Sequence, residues 1–365
     1  MKTWKILKMT TAILTLSVLL AGCGLFGGED KGLEIDPPQE TTYLEEGEFT
    51  DGESVMDSEQ EEGVSVDLQE DVVVDTVQRE LFLLDQYGMV VPQTVELPIV
   101  EGPAKQVLEY LVQDGPVEDM LPNGFRAVLP AGTSVEVNIV EDGIVIADFS
   151  KEFQEYNKED ELKILQAITW TLTQFDTINK VQIRINGYDQ PVMPVNGTPI
   201  GEGVSREHGI NFDENEVADI TNSYPVTVYF LAENADSTYY VPVTRRVENT
   251  EENSIVAVIN ELVEGPSYTS KLLGAINNEV ELLSEPIIQD GQVILNFNEY
   301  ILGSFSEDPI INTNVLDTLV LTLTEQEGIE QVAIQVNGKA ELVNEQGELL
   351  AEPVSRPKNV NMDSF

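Results

Sequence analysis

The chain has 365 residues, 41% of them hydrophobic, enough for more than one core at about 100–200 residues per domain. Its 66 acids stand against 19 Lys plus Arg, a formal net charge of −47. Phosphate contacts need clustered Lys and Arg, so this balance excludes a nucleic-acid binder and a surface made to dock on anionic headgroups.

One cysteine, Cys23, and one histidine, His208, narrow the chemistry further. They leave no intrachain disulfide, no zinc site of the usual kinds, and no nucleophilic triad that does not use His208. No metal or cofactor is expected.

Residues 1–22 read as a secretory signal peptide. Lys2, Lys5 and Lys8 form a basic start, an apolar run follows from Ala12 to Leu20, and Ala21 and Gly22 are small. Leu20-Ala21-Gly22-Cys23 resembles the bacterial lipobox, which implies cleavage before Cys23 and lipid on its thiol. The competing reading is an ordinary signal with a chance cysteine. Each buried methylene contributes about 0.8 kcal/mol, so two or three acyl chains would hold the protein on a membrane stably. No other stretch reaches the ~18 apolar residues that span a bilayer.

Residues 23–76 are acidic, with Lys31 the one basic residue and apolar residues scattered without period. Low hydrophobicity and like-charge repulsion predict a disordered tether. Some fifty such residues reach roughly 40 Å on average. The alternative is an acidic segment that folds on a partner.

From residue 77 the sequence repeats itself. Val91-Pro92 matches Val241-Pro242, and VLEYLVQDGP at 107–116 matches VINELVEGP at 258–266. EDGIVIADF at 141–149 matches QDGQVILNF at 289–297, and ILQAITWTL at 164–172 matches VLDTLVLTL at 315–323. INKVQIRING at 178–187 matches IEQVAIQVNG at 329–338. VSREHGINFD at 204–213 matches VSRPKNVNMD at 354–363. The order is kept throughout, which marks a tandem duplication: domain 1 at 77–213, a polar joint at 214–223 and domain 2 at 224–365. Units of this size are globular domains in series rather than a solenoid of ~20–50-residue repeats.

Each domain opens with a strand pair turning at Tyr87-Gly88 in the first copy. Glu101-Gly102-Pro103 then starts a helix with Val107, Leu108, Leu111 and Val112 on one face, stopped at Gly115-Pro116. Val135, Val137 and Ile139 alternate, as do Ile144 and Ile146, and Asp142-Gly143 between them predicts a hairpin. A second helix is predicted from Asp160 to Phe175, followed by a strand carrying Val181, Ile183 and Ile185. The second copy has the same order, with Ser254 as N-cap of its first helix. The expected fold is α+β: a β-α-β-β-α-β unit with a tail, its two helices on one face of a small mixed sheet.

Catalytic readings fare poorly. A glycosidase needs two carboxylates tuned to different pKa values. Asp142 and Asp290 recur, but in Asp-Gly turns, whose geometry Asp favours by itself. Asp148 becomes Asn296 in the second copy, so no acid role is shared. Tyr156, Trp170 and Tyr239-Tyr240 are candidates for a glycan platform, yet Trp170 lies in the helix pattern and Tyr239-Tyr240 in a strand. No phosphate-loop, dinucleotide or calcium-loop motif is present. The motif that stands out is the tail: Val204, Ser205 and Arg206, repeated as Val354, Ser355 and Arg356. Its arginines either pair with a carboxylate of their own domain or contact a partner. The first is favoured, because a position kept within a repeat serves the fold of that repeat.

The lipobox, the acidic tether, the ELVEGP and Asp-Gly blocks and the Val-Ser-Arg tails together resemble the GerM-type sporulation and germination lipoproteins, whose repeat is the GerMN domain. That resemblance implies a non-enzymatic assembly or scaffold component of the cell envelope, its domains similar to ring-building motifs. It implies membrane attachment through Cys23, envelope or sporulation proteins as partners, and a place between mother-cell and forespore membranes. Peptidoglycan binding or action is the alternative.

Overall fold

The structure is a computed structural model that describes residues 75–213, 220–235, 237–249, 254–302 and 310–361. The signal, Cys23 and nearly all of the tether lie outside the described residues.

Strands β1 (Thr76–Leu84) and β2 (Val90–Pro98) form an antiparallel hairpin. Asp85 shapes its turn, accepting the N–H groups of Tyr87 (2.9 Å) and Met89 (2.7 Å) on one carboxylate oxygen. Helix α1 (Pro103–Glu109) follows, with Pro103 at its first position, where no N–H is needed. It is shorter than the apolar stripe predicts. The carbonyl of Leu111 accepts the N–H groups of Val128 and Leu129, and Gln113 donates to Leu129 in return. A crossing segment thus takes the backbone groups that another helical turn would need.

β3 (Val135–Ile139) and β4 (Ile144–Phe149) pair across Asp142-Gly143. Both turn residues are left-handed, φ 62° and 70°, as a primed hairpin turn requires. Helix α2 (Glu161–Leu172) connects them to β5 (Lys180–Ile185), parallel to β4, and to the short β6 (Tyr188–Asp189). The sheet order is β3-β4-β5-β6. Val145, Ala147, Phe149, Val181, Ile183 and Ile185 face the core beneath α2, and the residues between them form the open face.

The second copy repeats this plan. β7 (Ser223–Glu233) and β8 (Thr238–Glu248) form its hairpin, followed by α3 (Ser254–Glu264), β9 (Ile287–Gln289) and β10 (Gln292–Phe297). Then come β11 (Ile310–Ile311), α4 (Thr313–Leu323), β12 (Gln331–Val336), β13 (Val343–Asn344) and β14 (Val354–Ser355). The main sheet runs β14-β12-β10-β9, with β10 and β12 parallel. Asn312 caps α4 by accepting the N–H of Asn314 at 2.9 Å.

The α+β class stands, with one refinement of topology. In each copy the opening hairpin forms its own two-stranded sheet and does not join the four-stranded one. A helix hydroxyl holds it in place instead. Thr171 accepts the N–H of Phe82 at 3.0 Å, and Thr322 accepts that of Tyr229 at 2.9 Å. Phe82 pairs with Pro92 and Tyr229 with Pro242, so Phe82 and Tyr229 are equivalent. The second hairpin is longer, which shifts its first strand relative to the alignment read from sequence. Each copy has its own core, but Val91 of β2 packs into the second one.

Candidate functional site

The tails are where the two repeats meet. Val204 pairs with Val181 through two backbone hydrogen bonds of 2.8 and 2.9 Å, adding to the sheet beside β5. Val354 does the same beside Val332 of β12. Ser205 donates its N–H to His208 Nδ1 at 3.1 Å, so the single histidine closes a short turn in the tail. Ser355 accepts the Gln331 side-chain amide at 3.1 Å.

Beyond these residues each tail crosses to the other repeat. Ile210 exchanges hydrogen bonds with Thr244 of β8, 2.8 Å in both directions. Val360 does the same with Thr94 of β2, at 2.8 and 3.1 Å. Asn211 and Asn361, both left-handed at φ 45° and 57°, complete the exchange. The Asn211 side chain accepts the N–H of Val90 and donates to the carbonyls of Val90 (2.6 Å) and Pro242 (2.9 Å). Asn361 accepts the N–H of Tyr240 and donates to the carbonyls of Tyr240 and Pro92, both at 2.8 Å. The two sets are copies of each other about a pseudo-two-fold axis.

The arginines of the tail motif converge beside this exchange. Arg206 lies over the Trp170 ring at 4.4 Å and donates to Thr173 of its own repeat. Its other end reaches across to both carboxylate oxygens of Glu325, at 2.9 and 3.0 Å. Arg356 lies over Tyr229, donates to its hydroxyl at 3.0 Å, and meets the same Glu325 at 3.0 Å and Glu80 of the first repeat at 3.8 Å. Each arginine therefore serves its own helix and the opposite repeat together. Burial alone would raise the Glu325 carboxyl, but Arg206 and Arg356 outweigh it and hold the group below its ordinary value. Arg79, Arg206, Arg356, Lys358, Glu80 and Glu325 line an open cavity of about 480 Å³ at this point.

A second ionic group locks the first tail. Arg245 of β8, 2% exposed, binds Asp213 at 2.7 Å and Glu261 of α3 at 3.1 Å, beneath Phe230. The Asp213 carboxyl is lowered, since Arg245 and the Ser267 N–H outweigh its burial. At the hairpin tips, Tyr239 donates to buried Asp85 at 2.8 Å. Burial raises that carboxyl in spite of the N–H groups it accepts.

The residues weighed for glycan chemistry are otherwise engaged. Asp148 and Asn296 do one shared job, each accepting the glycine N–H of an Asn-Gly turn, from Gly187 at 2.9 Å and Gly338 at 2.8 Å. Asp142 and Asp290 sit in their turns, both left-handed. Trp170 is buried against Phe82, and Tyr240 donates to Asp317. Tyr156 donates to Glu161, whose carboxylate also accepts the N–H groups of Val195, Asn196 and Thr198. Among the described residues no group of three or more His, Cys, Asp or Glu is placed to hold a metal ion. Glu325, Arg245 and Glu80 carry no signal in the repeat alignment. Asn211 and Asn361 do, as matched positions of the tail block.

A family model described as "Germane: Sporulation and spore germination" matches residues 80–191 and 227–342. The chain is 53% identical over 353 residues to the spore germination protein GerM of Bacillus subtilis (strain 168), covering 96% of each. It is also similar to the solved tandem GerMN domains of the sporulation protein GerM from Bacillus subtilis. That match has a TM-score of 0.75 and 56% identity, over 80% of this chain and 100% of that one. With the duplicated fold and its crossed tails, these matches establish that the chain belongs to the Germane family of sporulation and spore germination proteins, in the GerM type with tandem GerMN domains.

Proposed function

We infer that the chain is a non-enzymatic assembly component of the cell envelope during sporulation. It is held on the extracytoplasmic face of a membrane by lipid on Cys23 and works between the mother-cell and forespore membranes. Its two repeats engage other envelope proteins. One observation carries the reading. Ile139 ends the edge strand β3 and Val140 follows it before the Asp142-Gly143 turn, and the residues aligned with them, Ile287 and Ile288, lie in the edge strand β9 before Asp290-Gly291. All four are exposed. An apolar pair repeated at the open edge of both sheets is a template for an added strand. That Tyr156, Trp170, Tyr239, Tyr240 and Asp148 are buried or engaged within the fold supports protein contact over a glycan site at those residues.

The test is crosslinking of an epitope-tagged chain in sporulating cells, beside Cys23→Ala and an Ile139→Asp/Ile287→Asp pair. The reading expects defined envelope proteins to co-purify with the wild type and to be lost with the edge pair. If no protein is recovered and the purified chain retains or cleaves peptidoglycan instead, the assembly reading fails and the glycan reading replaces it.

A further inference from the structure

The junction between the repeats is two-fold in its bonding. Each repeat offers the same hairpin strand and the same tail, and the bonds of Ile210 and Asn211 in one tail recur as those of Val360 and Asn361 in the other. Such an interface is isologous, and its surface is self-complementary. The bonding groups named above all lie in the hairpins and tails of the two repeats. The contact is thus a property of two surfaces, whichever chain supplies them.

Two asymmetries decide which surfaces pair. Asp213 of the first tail meets Arg245 of the second hairpin. Thr94 and Thr244 are equivalent, so the first hairpin has Val95 where the second has Arg245. A first repeat docked on another first repeat would have Val95 in place of Arg245 and would lose the Asp213–Arg245 pair. Glu325 is the second asymmetry, since the aligned residue of the first repeat is Gln174. Two first repeats would bring two Arg206 side chains together without Glu325, leaving them the Glu80 carboxylates, and Glu80 here stands 3.8 Å from the opposite tail arginine. Two second repeats would bring two Glu325 carboxylates into one cluster, where like charges repel. Unlike pairing satisfies both groups.

We propose that this clamp surface recognises a second copy of the chain: the first repeat of one copy closes on the second repeat of another, and the reverse, forming an exchanged dimer. The exchanged dimer makes every contact of the closed monomer twice. Within one chain the joint supplies a high effective concentration, so the closed form dominates in dilute solution and exchange grows with the local concentration of the protein. The inference goes beyond the envelope-assembly reading and holds whichever proteins the edge strands engage.

A charge-swap complementation tests it, using the chain from residue 24 onward. One copy carries Arg245→Glu and the other Asp213→Arg. Each alone sets like charges across its own clamp, whereas in the exchanged dimer every pair is opposite. The two copies, unfolded together and refolded, are expected to give a one-to-one dimer by light scattering that neither gives alone. A mixture that behaves as the sum of its parts, with both copies folded by circular dichroism, overturns the proposal. Because Arg245→Glu also faces Glu261 and threatens folding, a Thr94→Cys/Val360→Cys chain provides a second measurement. After partial unfolding and oxidation, its interchain disulfide fraction is expected to rise from micromolar to millimolar protein. Intrachain disulfide alone at every concentration refutes exchange.

Discussion

Replacing Glu325 with Gln perturbs the clamp at the point where both tail arginines meet. The carboxylate is 8% exposed and accepts from Arg206, Arg356 and the Tyr229 hydroxyl. A glutamine oxygen can still accept from one guanidinium, but its amide then turns N–H groups toward the other. Breaking a buried pair costs about 3–5 kcal/mol when the remaining charge is stranded. Here Arg206 and Arg356 keep 28% and 24% of their side-chain exposure, and Glu80 remains 3.8 Å from Arg356. Solvent and Glu80 offset part of the loss, so the expected destabilisation is about 2–3 kcal/mol. Urea unfolding of the chain from residue 24 onward, at about pH 7, reads this directly. The pH dependence gives a second check. The folded-state pKa of Glu325 lies below its ordinary value of 4.5, so its contribution is complete above that value and is lost as pH falls through the lowered one. The gap between wild type and variant should therefore stay level from neutral pH to about pH 5 and shrink below about pH 4. A gap under about 0.5 kcal/mol at neutral pH, or one that does not narrow in acid, would refute the shared-carboxylate clamp.

Asn211→Ala removes hydrogen bonds to both repeats and places a Cβ-bearing residue without a local partner at φ 45°. At about 1 kcal/mol for each of the three lost side-chain bonds and 1–2 for the left-handed residue, a loss of about 4–5 kcal/mol is expected by urea unfolding. Asn211→Gly should recover the backbone share alone. Asp148→Asn should leave stability within about 0.5 kcal/mol, since Asn296 performs the same task in the second repeat, whereas Asp148→Ala should cost about 1 kcal/mol. A larger effect of the Asn variant on function than on folding would reopen an acid role for Asp148. Trp170→Ala should cost about 3–5 kcal/mol by emptying the space between Phe82 and Arg206. Lower spore yield from this variant should track protein abundance in immunoblots.

The duplication and the order of the elements were legible from sequence because they rest on local rules, whereas Ser254, expected as an N-cap, is the first residue of α3 itself. Asp142-Gly143 and Asp290-Gly291 turn the chain wherever they stand, and the apolar stripe through Leu165, Ile168 and Leu172 suffices to place α2. The Asn-Gly pairs that end β5 and β12 are turns for the same reason, Asn186 and Asn337 both being left-handed. Repetition also singled out Arg206 and Arg356, and with them Asn211 and Asn361. Only the tertiary structure decided where those residues reach. Repetition shows that a position is kept without showing which copy it serves, and here the tails serve both. The length of α1 was decided by the 127–129 segment that takes its next backbone groups, a contact with no trace in local pattern. Glu325, Arg245 and Glu80 differ between the copies, so self-comparison passes over them. An ion pair between distant residues has no period and no spacing, and it exists only once the fold brings the charges together.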